Sequence, residues 1–506
     1  MPSQMIKRIL SAKVYEVAVE TPIDAMPTLS RQLHNHILIK REDLQRGFSF
    51  KVRGAYNKIA LLSQAQRDKG IVAASAGNHA QGVALSAHMH KCEATIVMPV
   101  TTPAIKVQSV KNLGGKWVVV VLQGDRFDEA CAHAHDLAAQ SGAVFVHPYD
   151  DPDVIAGQGT IGLEIIRQCA QAPDIIFVPV GGGGLIAGIS TYVKYLHPDI
   201  KVIGVEAEDS ACLKAALQAK RRVRLPSVGI FADGVAVAQI GKAPFELIRK
   251  CVDDCITVSN DEICAAIKHC FDDTRAIVEP AGALSLAGLV KYVQLNKCRK
   301  QTLLAINSGA NVNFDRLRYV SERYGIGQQT EAMFGITIPE AAGSLRTLCR
   351  ALNGYDITEF NYRHNEEVQA HVFVGIKLKG PKDRERVTRK LAQQGYHLED
   401  LSGNELAKLH VGHMIGGCPS SDERVFRFEF PEREGILNEC LAVMRGRWNI
   451  SLFHYRQHGG TYANVLVGLQ PLPGQHHAID DFQTEWPYPC VEETDNAAYQ
   501  MFLRAH

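Results

Sequence analysis

The chain reads as an α/β protein, with a helix-covered parallel sheet in front and two smaller α+β modules behind. Three observations point there. Short β-branched apolar runs alternate with helical stretches between residues 35 and 325, glycine-marked turns follow several of those runs, and a repeat of different pattern begins after residue 330. Continuous apolar strands alternating with helices imply a parallel sheet buried on both faces. Sites in such sheets lie beyond the carboxyl ends of the strands, where loops lead into helices.

The front region opens with an apparent edge strand at 37–40 and a polar loop. Ser49-Phe50-Lys51-Val52-Arg53-Gly54-Ala55 then starts a helix expected to run through Ile59, Leu62 and Ala65. A lysine at a helix entrance, directly after an aromatic ring, can be partly dehydrated, which lowers its pKa and frees the amine to attack a carbonyl. A solvated surface lysine is the plain alternative, so Lys51 must be judged by its company. Further strands are expected at 71–74, 94–97, 117–122, 143–146, 174–180, 202–205 and 302–306, with helices at 80–90, 105–113, 127–141, 161–169 and 185–196 between them.

Three of the strand-to-helix turns carry chemistry. After 71–74 comes Ser75-Ala76-Gly77-Asn78-His79, whose small residues let backbone amides approach a carboxylate at a helix N-terminus. After 174–180 comes Gly181-Gly182-Gly183-Gly184-Leu185. Four successive glycines cost stability and mark a close backbone approach, here a cup for phosphate. No Gly-Lys-Ser/Thr follows, so this is no Walker loop. Gly182-x-Gly184-x-x-Ala187 does fit a dinucleotide fingerprint, with Glu206 near the spacing for a ribose contact, which makes a nicotinamide oxidoreductase the rival reading. After 302–306 comes Asn307-Ser308-Gly309-Ala310-Asn311, where a serine hydroxyl could meet a ring nitrogen.

The length of 506 residues suggests two to four domains, and a net charge of +1 gives no reason to expect nucleic acid or a membrane surface as partner. No apolar run approaches the roughly 20 residues of a spanning helix. The N-terminus lacks a signal peptide's apolar core and carries acids too early for a transit peptide, so the cytoplasm is the expected location. The 13 cysteines are scattered, and even the Cys251/Cys255 pair lacks the companions of a metal site, so no metal is expected.

Charged residues at 321–329, with Gly325-Ile326-Gly327, read as a junction. Beyond it Phe334-Gly335-Ile336-Thr337-Ile338-Pro339-Glu340 is answered by Phe426-Arg427-Phe428-Glu429-Phe430-Pro431-Glu432. Gly343 and Leu345 match Gly435 and Leu437; after a one-residue slip, Ile357, Tyr362, Arg363, Ala370 and Gly375 match Ile450, Tyr455, Arg456, Ala463 and Gly468. Each copy reads strand, turn, helix, strand, turn, strand. The expected domains are 1–325, 332–405 and 424–495. Neither copy carries a nucleophile or acid–base pair, so each is a small-molecule sensor or an oligomerisation module.

A helix-entry lysine, an Asn-bearing loop, a glycine cup and a terminal serine loop, in that order from about residue 20 to 320, resemble the fold-type II pyridoxal phosphate enzymes. Ser-Phe-Lys-x-Arg-Gly-Ala, Ser-Ala-Gly-Asn-His-Ala-Gln-Gly, Gly-Gly-Gly-Gly-Leu and Ser-Gly-Ala-Asn are specific for the threonine/serine dehydratase branch. With a repeat that resembles paired ACT-like modules, the whole is similar to the biosynthetic threonine dehydratase family. The nicotinamide reading explains one loop of the four; a non-catalytic amino-acid-binding regulator is the other alternative.

The resemblance implies a tryptophan synthase β-like fold and pyridoxal 5'-phosphate as cofactor. It implies that Lys51 forms the Schiff base, Phe50 lies against the ring, Asn78 bonds the ring hydroxyl, Gly181 to Leu185 hold the phosphate and Ser308 meets the pyridine nitrogen. Ser75, Ala76, Gly77, Asn78 and His79 would bind the substrate carboxylate. The implied reaction takes L-threonine to 2-oxobutanoate and ammonia, and L-serine to pyruvate. Lys51 would serve as Cα base, and the leaving hydroxyl would gain a proton from the cofactor phosphate or a water. Ala76 stands where the related serine racemases have a serine, understood as the acid–base group of the opposite face, so racemisation is expected to be weak. Isoleucine as inhibitor, valine as activator and a homotetramer are the further expectations.

Overall fold

The structure, a computed structural model, describes residues 2–328, 330–339, 344–352, 355–362, 368–411, 423–431, 448–456, 462–471 and 488–503. Two compact units divide the chain, Met1–Phe314 and Asp315–His506.

The first unit holds ten strands: β1 (Ile23–Ala25), β2 (His36–Arg41), β3 (Ile71–Ala74), β4 (Ala94–Met98), β5 (Val118–Leu122), β6 (Val144–Phe145), β7 (Ile175–Pro179), β8 (Lys201–Ala207), β9 (Asp254–Val258) and β10 (Thr302–Asn307). They form two sheets where the sequence suggested one. The larger runs β1-β2-β10-β7-β8-β9, parallel except for β1, and the smaller runs β5-β4-β3-β6, wholly parallel. Apolar alternation marks strands but carries no record of which neighbours pair, so the split was invisible. The 37–40 strand is not an edge, because three-residue β1, too short to stand out, covers it as Ile23 pairs with Lys40. The Val118–Leu122 strand sits at the margin instead, with Val119 largely exposed.

Helix 127–141 falls as expected, at Phe127–Ser141. The Lys51 helix is shorter than expected: it spans Lys51–Ala60, and Ser63 caps a separate helix, Gln64–Asp68, through a reciprocal bond with Gln66. The expected 161–169 helix begins earlier, as Pro152–Gln168, with the Asp151 carboxylate capping the amides of Asp153 and Val154. These two helices touch backbone to backbone. A Cβ on Gly157 would lie 2.6 Å from the Arg53 carbonyl oxygen, and one on Gly54 would lie 2.7 Å from that of Val154. Any side chain at this crossing would push the Lys51 helix away.

A second tie holds the same helix. Arg53, Glu42, Glu164 and Lys40 are all fully buried. Arg53 donates to Glu42 at 2.8 Å from both Nε and Nη2, and to Glu164 at 2.6 and 3.0 Å, while Lys40 donates to Glu164 at 2.6 Å. Dehydration opposes the Glu42 charge, but the Arg53 guanidinium and its hydrogen bonds hold that carboxyl below the usual range. The cluster binds β2, the Lys51 helix and the Pro152 helix at one point.

Among its described residues the second unit contains two four-stranded antiparallel sheets. One joins β11 (Glu331–Pro339), β12 (Asp356–Tyr362), β13 (Gln369–Lys377) and β14 (His397–Asp400) in the order β12-β13-β11-β14. The other joins β15 (Arg424–Pro431), β16 (Trp448–Arg456), β17 (Tyr462–Pro471) and β18 (Cys490–Glu492) in the order β16-β17-β15-β18. The orders match, and the register slips at matched places, between Ile357 and Glu359 and between Ile450 and Leu452. The repeat read in the sequence is therefore a structural repeat. Its Pro-Glu-x-x-Gly turns, with Glu340, Gly343, Glu432, Gly435 and Leu437, lie outside the described residues, as does Arg363. The helix of the first copy is Ser344–Ala351.

Gly325, Ile326 and Gly327 close a helix, Arg316–Gly327, rather than a linker. Its charges misled because they are satisfied inside the second unit, where Arg323 reaches Glu405 at 2.6 Å. Among the described residues no helix is long and apolar enough to cross a membrane.

Candidate active site

Three loops leave the carboxyl ends of β3, β7 and β10 and meet at one cavity. Phe50, Lys51, Asn78, Gly181, Gly182, Gly183, Gly184, Leu185 and Ser308 line it. Ser49 and Gly309 form a β-bridge, and the Phe50 amide donates to the Ser308 carbonyl at 3.2 Å, which draws the lysine loop and the serine loop together.

Lys51 is the first residue of its helix and points its Nζ at the Pro148 carbonyl oxygen, 3.0 Å away, with the Phe50 ring centroid at 5.3 Å. Dehydration pulls its pKa down to about 8, against the opposing pull of Glu279. A neutral amine is therefore within reach near physiological pH.

The glycine run is a cup because nothing else fits. A Cβ on Gly182 would sit 2.1 Å from the Tyr149 ring. Gly183 has φ +90 and is the N-cap of the helix Gly184–Leu196, so backbone amides and the positive end of the helix dipole face the cavity. Such a cup suits a phosphate. The Ser308 hydroxyl is buried and donates to the Ala281 carbonyl at 3.2 Å, and its one rotatable proton can turn to a ring nitrogen instead.

The 75–79 loop is divided. Asn78 faces the cavity, its Nδ2 donating to Glu279 at 2.6 Å and its Oδ1 accepting from Asn311 at 2.7 Å. The Ser75 hydroxyl accepts from the Gly77 amide at 3.2 Å, a bond within the turn itself. His79 is buried, and its Nε2 lies 2.8 Å from the Val146 carbonyl oxygen. Burial and the nearby Lys51 hold its imidazole neutral down to about pH 3. Of this loop Asn78 lines the cavity; Ser75, Ala76, Gly77 and His79 do not.

Sequence reasoning missed Glu279, Tyr149 and Pro148 as cavity residues. Glu279 carried a signal: it precedes Pro280 at the start of the helix Pro280–Asn296, yet its carboxylate makes no capping bond and turns to Asn78 instead. Glu206, the ribose candidate, is buried and spends both oxygens on the amides of Leu213 and Lys214, at 2.7 and 2.8 Å. That removes the acid the dinucleotide fingerprint needs. Cys251 and Cys255 are separate buried thiols, and among the described residues no cluster of three or more His, Cys, Asp or Glu could hold a metal ion.

Residues 15–309 match the model of the pyridoxal-phosphate dependent enzymes, and residues 322–411 and 416–503 match the C-terminal regulatory domain of threonine dehydratase. The chain is 50% identical to the biosynthetic L-threonine dehydratase of Escherichia coli (strain K12), across 99% of its own length and 97% of the relative's. The chain belongs to the biosynthetic threonine dehydratase family. The corresponding protein of Burkholderia multivorans is 48% identical, over 98% of this chain and 99% of the relative. The processed threonine deaminase isoform 2 of Solanum lycopersicum has the same fold, with a TM-score of 0.63 and 47% identity over 64% of this chain and 88% of that one.

Family membership makes pyridoxal phosphate the cofactor. The cavity suits it chemically: a dehydrated lysine for the aldehyde, a cup that excludes side chains for the phosphate, and a neutral hydroxyl for the ring nitrogen.

Proposed function

We propose that the chain is a threonine ammonia-lyase that converts L-threonine to 2-oxobutanoate and ammonia as the first step of isoleucine biosynthesis, and L-serine to pyruvate. The observation that carries the reading is the meeting of Lys51, the Gly181–Gly184 cup and Ser308 around one cavity. In this reading Lys51 holds the cofactor covalently, Phe50 packs against its ring, Asn78 bonds the ring oxygen, and the amides of Gly181 to Leu185 take the phosphate. The backbone amides of the 75–79 loop, that of Asn78 included, take the substrate carboxylate.

When bound, pyridoxal phosphate supplies the electron sink for the pair left at Cα. With the substrate amine in its place, the freed Nζ of Lys51 would receive the Cα proton. As the Cβ–O bond breaks, the hydroxyl would gain a proton from the cofactor phosphate or a water and depart as water. Lys51 would retake its place as the enamine is released; the free enamine tautomerises to an imine and takes up one water, giving 2-oxobutanoate and ammonia. Ser308 steers this outcome. A neutral hydroxyl does not hold a ring nitrogen protonated as a carboxylate does, so prompt loss of the β-group outruns slower carbanion chemistry. Ala76 offers no acid on the opposite face.

The two regulatory modules, residues 332–405 and 424–495, bind isoleucine as inhibitor and valine as activator, and the enzyme works as a homotetramer in the cytoplasm. The test is direct. Protein loaded with pyridoxal phosphate forms 2-oxobutanoate from L-threonine; a loaded protein that leaves threonine intact overturns the reading.

A further inference from the structure

Asn311 closes the Ser-Gly-Ala-Asn motif, and none of the roles above uses it. Its Nδ2 donates to the Gly47 carbonyl at 2.8 Å and to Asn78 Oδ1 at 2.7 Å, and Asn78 Nδ2 donates to Glu279 at 2.6 Å. Four segments far apart in the chain are thus strung on one line of hydrogen bonds beside the cavity. Its direction is fixed from both ends. The Gly47 carbonyl can only accept, so Asn311 must turn its nitrogen inward; that nitrogen needs an acceptor in Asn78, which must be the amide oxygen. The nitrogen of Asn78 then faces Glu279 and keeps a second N–H to offer a ligand. Were the Asn78 amide reversed, its oxygen would face a carboxylate and its nitrogen would face a donor.

We propose that Asn311 is a positioning residue: through Asn78 it compels the amide to present an N–H to the cofactor's ring oxygen, favouring the ionised form of that oxygen. Glu279 holds the other end. The proposal rests on the reading that Asn78 contacts the ring oxygen, and the experiment separates the two.

The measurement is a pH titration of the visible band of the full-length holoenzyme, made on the wild type, Asn78→Ala, Asn311→Ala, Asn311→Asp and the double variant Asn78→Ala/Asn311→Ala. Loss of one hydrogen bond to an ionised oxygen shifts the midpoint upward by about one pH unit. Asn78→Ala and Asn311→Ala are each expected to do so, and the double variant to shift no further than Asn78→Ala alone. Asn311→Asp keeps the shape but sets an acceptor against Asn78 Oδ1, so it shifts the band the same way even if the alanine variant folds poorly. A midpoint unmoved by both Asn311 changes, or a double variant whose shift is the sum of the singles, overturns the role of Asn311 and leaves that of Asn78. A band unmoved by Asn78→Ala removes the ring contact itself, and this proposal with it.

Discussion

Arg53 grips Glu164 through two hydrogen bonds, at 2.6 and 3.0 Å, from a position two residues beyond Lys51 on the same helix. The pair is fully buried, and Glu42 and Lys40 complete a four-charge cluster. Such a cluster does little for stability as a whole, but removing one member strands its partners without water. Arg53→Met is expected to destabilise the first unit by about 3–5 kcal/mol. Arg53→Lys, which restores the charge but not the forked donor set, should recover only part of that. Denaturant melts of the three proteins check both statements.

Cofactor uptake should follow the charge on Lys51. Dehydration lowers its pKa to about 8, and only the neutral amine attacks an aldehyde. The neutral fraction grows as pH rises through that value. Uptake of pyridoxal phosphate by the apo-protein is therefore expected to slow about tenfold per unit below pH 7 and to level off above pH 9. His79 adds no inflection, since it stays neutral down to about pH 3. Stopped-flow absorbance across that range reads the profile.

Ala76→Ser places a hydroxyl in the 75–79 loop, at the position expected from the resemblance to serve the second face. Detectable racemisation of serine, followed by chiral chromatography, is the expected gain. If none is found, the single-faced account of Ala76 loses its support.

Isoleucine should inhibit the full-length enzyme, and valine should relieve the inhibition. Control requires different affinities for two states of the protein. A chain ended at Phe314, where the first unit closes, is expected to keep deaminase activity and lose the response. Inhibition retained by that shortened chain would place the effector site in the first unit.

Much of this was legible in the sequence because the signals are local. Apolar β-branched runs gave β3 to its last residue, and the stretch 127–141 read as helical is the helix Phe127–Ser141. The three loops could be read because each follows its own strand. What stayed hidden depends on partners far along the chain. Asn78 meets a Glu279 that lies 201 residues away, and Arg53 meets a Glu164 that lies 111 away. Tyr149 shows its place only by filling the space above Gly182. His79 misled in the opposite sense: in a loop of small residues it looked like a ligand, but the Val146 carbonyl holds it in the core. The two-sheet split and the covered strand at 37–40 likewise follow from pairing that no local pattern records.

The central claim is that Lys51 carries the cofactor, and borohydride tests it most directly. Reduction of the holoenzyme fixes pyridoxal phosphate to the amine that holds it, and peptide mapping then names the residue. The account requires a yellow protein whose visible band is lost on reduction, with the added mass on Lys51, and a Lys51→Ala variant that folds but neither takes the label nor deaminates threonine. A label on another lysine, or deamination surviving in Lys51→Ala, would contradict it.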